Sequence, residues 1–484
     1  MPGFPFPDHG MDARVAVADG DRVLSFAQLR AQAAVLANAL QRLGLPPNAR
    51  VAVLLSNSAE AVAAFLAVSA AGHSYLPLTP ALKPDELREL FARAEVRAVL
   101  YARDGPPQCG DDVALLAVDE CLQGAAAAGR GEGPEFPGSA ADPGREFVCL
   151  STSGSSGQPR LVARSARAVE ANARHVAQAL EIRPDDRFLA LVPFWHANGF
   201  SNCLLTPLSR GASILTVSRF LPRQVLETVA SERVTVVIAS PFVFKAFAQV
   251  LAAGGGPPAG LGGVRCWISS GAALPAALER TLRDLGIPVR QLYGSSETGT
   301  LCLSGTGVPE PGCVGRPLPG VEIRLVDERG AVAAPGCAGE VQARSPALFD
   351  GYVADASKRA SRTPDGYYSM GDLGRWNASG ELVLLGRSDA MINVSGVKVD
   401  PREVQAVLES MPAVEEALVH GRSDAAGLQQ IRALVVARRE LSTEEVLAYC
   451  RGRLAEYKLP RAIEFVERIP RDLMGKTARS KLEN

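Results

Sequence analysis

The chain has 484 residues, more than one ordinary domain holds, and its 47% hydrophobic and 21% charged residues make a globular composition with ample core material. A net charge of −1 excludes a basic footprint for nucleic acid or a membrane surface. The start, MPGFPFPDHGMDARVAVADG, lacks the apolar region of a secretory leader, and no apolar run reaches the ~18 residues of a membrane span. Nine scattered cysteines without a C-x-x-C pair predict reduced, packed thiols in a cytoplasmic protein, and five dispersed histidines predict no metal cage.

In chain order, SFAQLRAQAAVLANALQRLG repeats apolar residues near helical spacing, with Ser25 as N-cap and Gln28 closing a capping box. RVAVLL reads as a buried strand, SAEAVAAFLAVSAAG as a helix and RAVLYA as a strand, so this region is α/β. LQGAAAAGRGEGPEFPGSAADPG reads as a mobile surface connection. Further strands are expected at RFLALVP, VTVVIAS, VRCWISSG and VRQLYG, and AAGGGPPAGLGG as another loop. From about residue 312 short strands and turns follow (VEIRLVDERG, GEVQARS, GELVLLG). After Gly386 a small α+β unit is expected. DPRE offers Asp400 as N-cap, Pro401 at N1 and Glu403 at N3, STEE offers a second capping box at Ser442 and Glu445, and EEALVHG and IRALVVARR lie between as strands.

The most informative stretch is EFVCLSTSGSSGQPRLV, where a short apolar run meets a loop of glycines and hydroxyls. Glycines let backbone N–H groups approach a bulky anion, and hydroxyls add uncharged donors. The spacing of Gly154 and Gly157 is not that of a P-loop, and no G-x-S-x-G elbow is present; a phosphate loop of another kind or a flexible Ser/Gly linker remains. Downstream, PFWHANGF sets His196 among aromatics, SSGAALP makes a turn where a flat ring can lie against backbone, and YGSSETG joins Tyr293 to Glu297. MGDLG presents Asp372, GRSD presents Arg387 and Asp389, and MGKT presents Lys476.

In this order, and over nearly the whole chain, these motifs resemble the adenylate-forming superfamily of acyl- and aryl-CoA synthetases, luciferases and adenylation domains. PFWHANGF looks closest to the aryl- and acyl-CoA ligase branch. The resemblance implies a two-domain α/β enzyme: an adenylation core over 1–386 that includes a β-barrel-like subdomain, a hinge at 387–393 and a mobile α+β C-terminal lid over 394–484. It implies activation of a carboxylic acid by ATP and Mg²⁺ to acyl-AMP with release of pyrophosphate, then transfer to a thiol, CoA above all.

The roles it implies are these. Ser151, Thr152, Ser153, Gly154, Ser155, Ser156, Gly157 and Arg160 hold the β- and γ-phosphates. Tyr293, with Gly271, Ala272 and Ala273, covers the adenine, and Gly294, Ser295 and Ser296 complete the nucleotide site. Glu297 holds Mg²⁺, a hard cation that wants a carboxylate. Asp372 reads the ribose and Arg387 adds a ribose or phosphate contact. His196 gates an acyl pocket lined by Trp195, Asn198, Phe200, Phe242, Phe244, Ser270 and Gly294. Lys476 serves adenylation, Asp389 the hinge, and Gly396 the passage of the pantetheine arm.

Three departures stand out. Arg160 occupies the place of the family's usual lysine, Ser155-Ser156 that of two threonines, and RSARA that of a usual histidine. PFWHANGF holds no aspartate to pair with an α-ammonium, so an acid without an α-amino group is expected. Two alternatives stay open: a carrier-protein phosphopantetheine or an amine as acceptor, and an inactive nucleotide-binding regulator on the same fold.

Overall fold

A computed structural model describes residues 11–103, 105–110, 112–127, 142–152, 160–254, 258–307, 310–353, 362–388, 392–394, 397–423 and 429–470. Ser153, Gly154, Ser155, Ser156, Gly157, Asp389, Gly396 and Lys476 lie outside these residues. The chain forms two compact units. The larger takes in the chain as far as Ile323, with Ala343–Tyr368; the smaller takes in Arg324–Gln342 and the chain from Ser369.

In the larger unit the strands Arg187–Ala190, Val236–Ala239, Cys266–Ser270 and Val289–Ser295 run parallel as neighbours. Ser213–Thr216 and Val15–Asp19 extend the parallel set on one side, and Gly299–Leu303 and Cys313–Pro317 continue it antiparallel on the other. The strands are short and apolar because both faces are covered, the pattern expected of parallel sheets. On one face Val237, Trp267 and Val289 pack with Leu226 and Val229 of the helix Pro222–Ser231 and with Phe244 and Phe247 of Pro241–Ala252.

A second sheet contains Arg50–Leu54, Ser74–Leu78, Val96–Tyr101 and Glu146–Thr152 in parallel, with Arg160–Ser165 and Gly351–Tyr352 antiparallel. The helix Ala59–Ala70 is buried at every position except Glu60; its alanines leave no polar face, as an interior helix requires.

The capping boxes at Ser25–Gln28 and Ser442–Glu445 form as expected, and Asp400 caps Pro401–Glu409. Glu403 does not complete a box there, since its carboxylate pairs with Lys458 at 2.6 and 2.7 Å. The connection expected from Leu122 onward begins instead as the end of the helix Val118–Ala127, where the alanine run favours helix over the lone Gly124.

Glu322–Val326, Gly339–Arg344, Tyr368–Trp376 and Leu382–Arg387 lie side by side, with most of their residues in the smaller unit. The row is open, with its first and last strands unpaired to each other, so the expected barrel-like subdomain does not close into a barrel. Val414–Ser423, Gln429–Ala437 and Ala462–Phe465 form a separate three-stranded sheet with its own core, including Val404, Leu408, Val419, Val435 and Val446. None of the nine cysteines is in a disulfide; six are buried, Cys109 and Cys121 are half-buried and Cys337 is exposed. Burial pushes the Cys203 thiol up to about 12. Among the described residues no helix is long and apolar enough to cross a membrane.

Asp186 ties the first sheet's amino-terminal end together. Its carboxylate accepts from Arg265 Nε at 2.8 Å and Nη2 at 2.5 Å, from the Arg183 N–H at 2.8 Å and from the Thr235 hydroxyl at 2.7 Å. Burial alone would raise its carboxyl, but Arg265, the Arg183 N–H and Thr235 outweigh this and hold it below the usual range. A depressed carboxyl contributes stability above its unfolded value, ~3.9, and loses it as pH falls through the folded value. Asp186→Asn should cost about 2–3 kcal/mol at neutral pH, less than a fully buried pair because Arg265 is 32% exposed. It should also flatten the acid limb of the stability curve, measured by denaturant unfolding between pH 3 and 7; an unchanged limb would remove Asp186 as the titrating group.

Candidate active site

Parallel pairing gives four strands of the larger unit a common carboxyl end, the end where α/β sheets bind ligands. Trp195 and His196 follow Arg187–Ala190, and Phe242 follows Val236–Ala239. Ser270 to Ala273 lie at and after the end of Cys266–Ser270, and Tyr293 to Glu297 at that of Val289–Ser295. Four stretches chosen separately from the sequence are thus brought to one edge.

The Glu297 turn is built locally. Strand Val289–Ser295 reverses into Gly299–Leu303, with Ser295 opposite Gly299. The Ser295 N–H donates to Thr298 Oγ1 at 3.0 Å, and Ser295 Oγ accepts from the N–H groups of Glu297 and Thr298, both at 3.2 Å. The hydroxyls thereby replace backbone partners in a tight reversal. Gly294 is required by close approach: a Cβ there would lie 2.0 Å from the Gly299 carbonyl oxygen. Tyr293 and Ser296 are half-buried, while Gly271, Ala272 and Ala273 are exposed and Ser270 is buried.

Behind the turn runs a buried polar chain. The Thr300 N–H donates to Asn172 Oδ1 at 2.7 Å, and Asn202 Nδ2 donates to Thr300 Oγ1 at 3.4 Å and to Asn198 Oδ1 at 2.7 Å. It links the Glu297 hairpin to the segment that carries His196. The Asn198 N–H donates to His196 Nδ1 at 3.3 Å, which leaves the ring proton on Nε2 in the neutral form. Gly199 opens a wide π-turn, Gly199–Leu205, an irregularity common at functional sites.

From the second sheet, Asn57 donates to the carbonyls of Ala190 and Val192, each at 3.0 Å, and accepts from the Phe194 N–H at 2.7 Å. It clamps the stretch leading to Trp195. Arg164 is also fully buried. It donates to the Ala347 carbonyl at 2.7 Å; burial lowers it to about 10, still cationic at neutral pH, with Asp350 and Glu297 supplying opposing charge.

Of the hydroxyl- and glycine-rich loop, Ser151, Thr152 and Arg160 are among the described residues. Its flanks Glu146–Thr152 and Arg160–Ser165 pair antiparallel, placing Ser151 opposite Leu161 and Thr152 opposite Arg160. Thr152 Oγ1 donates to the Arg160 carbonyl at 3.3 Å. The pocket candidates divide. Trp195, His196 and Asn198 are half-buried and Phe242 is 50% exposed beside Phe220. Phe200 is fully buried among Phe65 and Tyr75, and Phe244 among Phe247 and Trp267.

In the smaller unit Asp372 and Arg387 stand directly opposite on neighbouring antiparallel strands, Nη1 to Oδ1 3.7 Å. Arg387 Nη1 also donates to the Met370 carbonyl at 3.1 Å. Two residues drawn from separate motifs thus form one cross-strand pair. Its Coulomb gain is small because Arg387 is 48% exposed, so the pair adds little to stability.

Sequence reasoning missed Asn57, Asn172, Asn202, Tyr352 and Tyr368. The available signal was weak: amide side chains beside otherwise apolar runs, and tyrosines in FDGY and GYYSMGD.

Comparison with known proteins shows the family of the chain. Residues 8–353 match the AMP-binding enzyme family and residues 403–476 its C-terminal domain. An indoleacetate–CoA ligase of Aromatoleum aromaticum is 29% identical over 96% of this chain and 93% of its own. A feruloyl-CoA synthase of an Amycolatopsis species is 30% identical over 96% and 95%. The solved O-succinylbenzoate coenzyme A synthetase of Bacillus subtilis, in complex with ATP and magnesium ion, superposes with a TM-score of 0.86 at 27% identity, covering 97% of each chain. The chain belongs to the AMP-binding enzyme family, in the aryl- and acyl-CoA ligase branch of the adenylate-forming superfamily.

Gly294→Ala should cost about 1–3 kcal/mol through overpacking and displace the Glu297 turn. Thermal unfolding and pyrophosphate exchange measured together should both fall. An unaltered melting temperature with full exchange would show that the hairpin relaxes freely.

Proposed function

We propose that this chain is an AMP-forming acid–thiol ligase that activates an aryl-bearing carboxylic acid with Mg·ATP and passes the acyl group to CoA. The observation that carries the reading is the arrival of the Trp195–His196, Ser270–Ala273 and Tyr293–Glu297 stretches at one sheet edge in a chain of this family. ATP, Mg²⁺ and CoA are the cofactors of the branch. Glu297 suits Mg²⁺ because its carboxylate is half-buried and, among the described residues, engaged only through Oε1. Tyr293 with Gly271, Ala272 and Ala273 takes the adenine, and Asp372 and Arg387 take the ribose.

Thr152 and Arg160, which flank the hydroxyl-rich loop, take the phosphates together with Ser151 and Ser153 to Gly157. His196 and Trp195 border the acyl group. The missing aspartate in PFWHANGF supports an acid without an α-amino group, and the relatives named for indoleacetate and ferulate support an aromatic one. The reduced, scattered cysteines support a cytoplasmic location.

ATP–pyrophosphate exchange across a panel of aryl and alkyl acids, with and without CoA, tests this reading. Aryl acids should support exchange and CoA should convert it to thioester formation; a panel without any active acid sinks it. Glu297→Gln should abolish most of the exchange, since the carboxylate neutralises phosphoryl charge through the cation. Near-normal exchange at saturating Mg²⁺ would remove Glu297 from the site.

The same reading takes 387–393 as a hinge between 1–386 and 394–484, with Asp389 as its pivot, Lys476 serving adenylation and Gly396 the thiol step. Lys476→Ala should slow adenylate formation about 10²-fold, the scale of one preorganised charge contact, and spare thioester formation from supplied acyl-AMP. Gly396→Trp should do the reverse. Parallel losses in both half-reactions would overturn the division of labour.

A further inference from the structure

Within the larger unit, Tyr352 stands where the hairpin of the phosphate loop meets the Glu297 turn. Its two-residue strand, Gly351–Tyr352, pairs with Arg160–Ser165, the strand leaving that loop, with Tyr352 opposite Val162. The preceding Phe349 donates its N–H to the Glu297 carbonyl at 2.7 Å. Its ring meets those of Tyr352 and Tyr368 edge-on, with centroids 5.0 and 5.2 Å away. The Tyr352 hydroxyl donates to Glu297 Oε1 at 3.0 Å and lies 3.3 Å from the Tyr368 hydroxyl. Above the Tyr352 ring, 5.7 Å from its centroid, lies the guanidinium of Arg160.

We infer that Tyr352 is a positioning residue for the cation: its phenol holds Glu297 by Oε1, leaving Oε2 to Mg²⁺, and its ring couples that carboxylate to Arg160. The inference rests on the reading of Glu297 as the Mg²⁺ residue. A glutamate on a hairpin tip has several rotamers to lose when it takes a cation, and a fixed hydrogen bond removes that loss beforehand. The pairing with Arg160–Ser165 makes the arrangement directional, because the carboxylate and the loop flank are held by the same two residues of strand. Arg160 gives the Tyr352 ring a cationic neighbour, a contact guanidinium groups make more often than ammonium groups. The departure noted in the sequence thus acquires a local partner.

The test compares wild type, Tyr352→Phe, Tyr368→Phe and Glu297→Gln by two readouts. One is Mn²⁺ binding in the presence of a non-hydrolysable ATP analogue, followed by electron paramagnetic resonance. The other is the Mg²⁺ concentration giving half-maximal pyrophosphate exchange. Tyr352→Phe keeps the ring and its neighbours but loses the hydroxyl. It should weaken Mn²⁺ binding and raise the half-saturating Mg²⁺ about tenfold, the scale of one hydrogen bond to a charged group. The exchange rate should recover at saturating Mg²⁺, and Tyr368→Phe should show a smaller shift in the same direction.

Unchanged metal dependence in Tyr352→Phe, beside a clear effect of Glu297→Gln, overturns the inference while leaving the role of Glu297 intact. A loss of equal size at every Mg²⁺ concentration overturns it too, since that marks a merely structural tyrosine. If Glu297→Gln alters neither readout, the reading of Glu297 fails and this inference falls with it.

Discussion

Hydrogen bonding between parallel strands imposes one direction on Arg187–Ala190, Val236–Ala239, Cys266–Ser270 and Val289–Ser295. Every loop that leaves these strands must therefore start from the same edge. The chain uses that constraint four times, with short apolar strands followed by loops rich in polar, aromatic or small residues. What remains is to hold those loops at fixed depth, and buried amides do this: Asn57 grips the backbone before Trp195, while Asn172 and Asn202 brace the hairpin behind Glu297. Amide side chains suit the task because each offers both donor and acceptor without carrying a charge into the core.

Local signals in the sequence carry directly into the structure. Ser25, Ser442 and Asp400 cap the helices they precede, because a cap depends on residues within one turn. Alternating β and α patterns translated into strands and helices where apolar runs were bounded by turn residues, as at Arg50–Leu54 and Ala59–Ala70. Failures came where a residue's partner lies far along the chain. Glu403 has the spacing of a capping residue but meets Lys458. Short strands after residue 312 gave no sign of whether the row would close, since closure depends on which strands meet at its ends.

The site was legible to a similar degree. The YGSSETG turn and the Asp372 and Arg387 motifs could be picked out because each concentrates polar and small residues in a few positions. That Asp372 and Arg387 face each other could not be read, as strand register is not written in either motif. Asn57 acts on Phe194, Asn172 on Thr300 and Tyr352 on Glu297, and none of these pairs is close in sequence. Phe200 shows the converse: its neighbours in PFWHANGF suggested a pocket wall, yet it completes an aromatic core with Phe65 and Tyr75.

The distribution of thiols has a chemical consequence. Six cysteines are buried, and burial raises the Cys149, Cys203 and Cys302 thiols, which suppresses the thiolate that alkylating and oxidising agents attack. Cys337, on a turn of the smaller unit, is the exposed one. A maleimide dye added briefly at neutral pH should therefore label Cys337 ahead of the half-buried Cys109 and Cys121. The unaltered protein thus offers a fluorescent reporter on that unit, without an engineered cysteine.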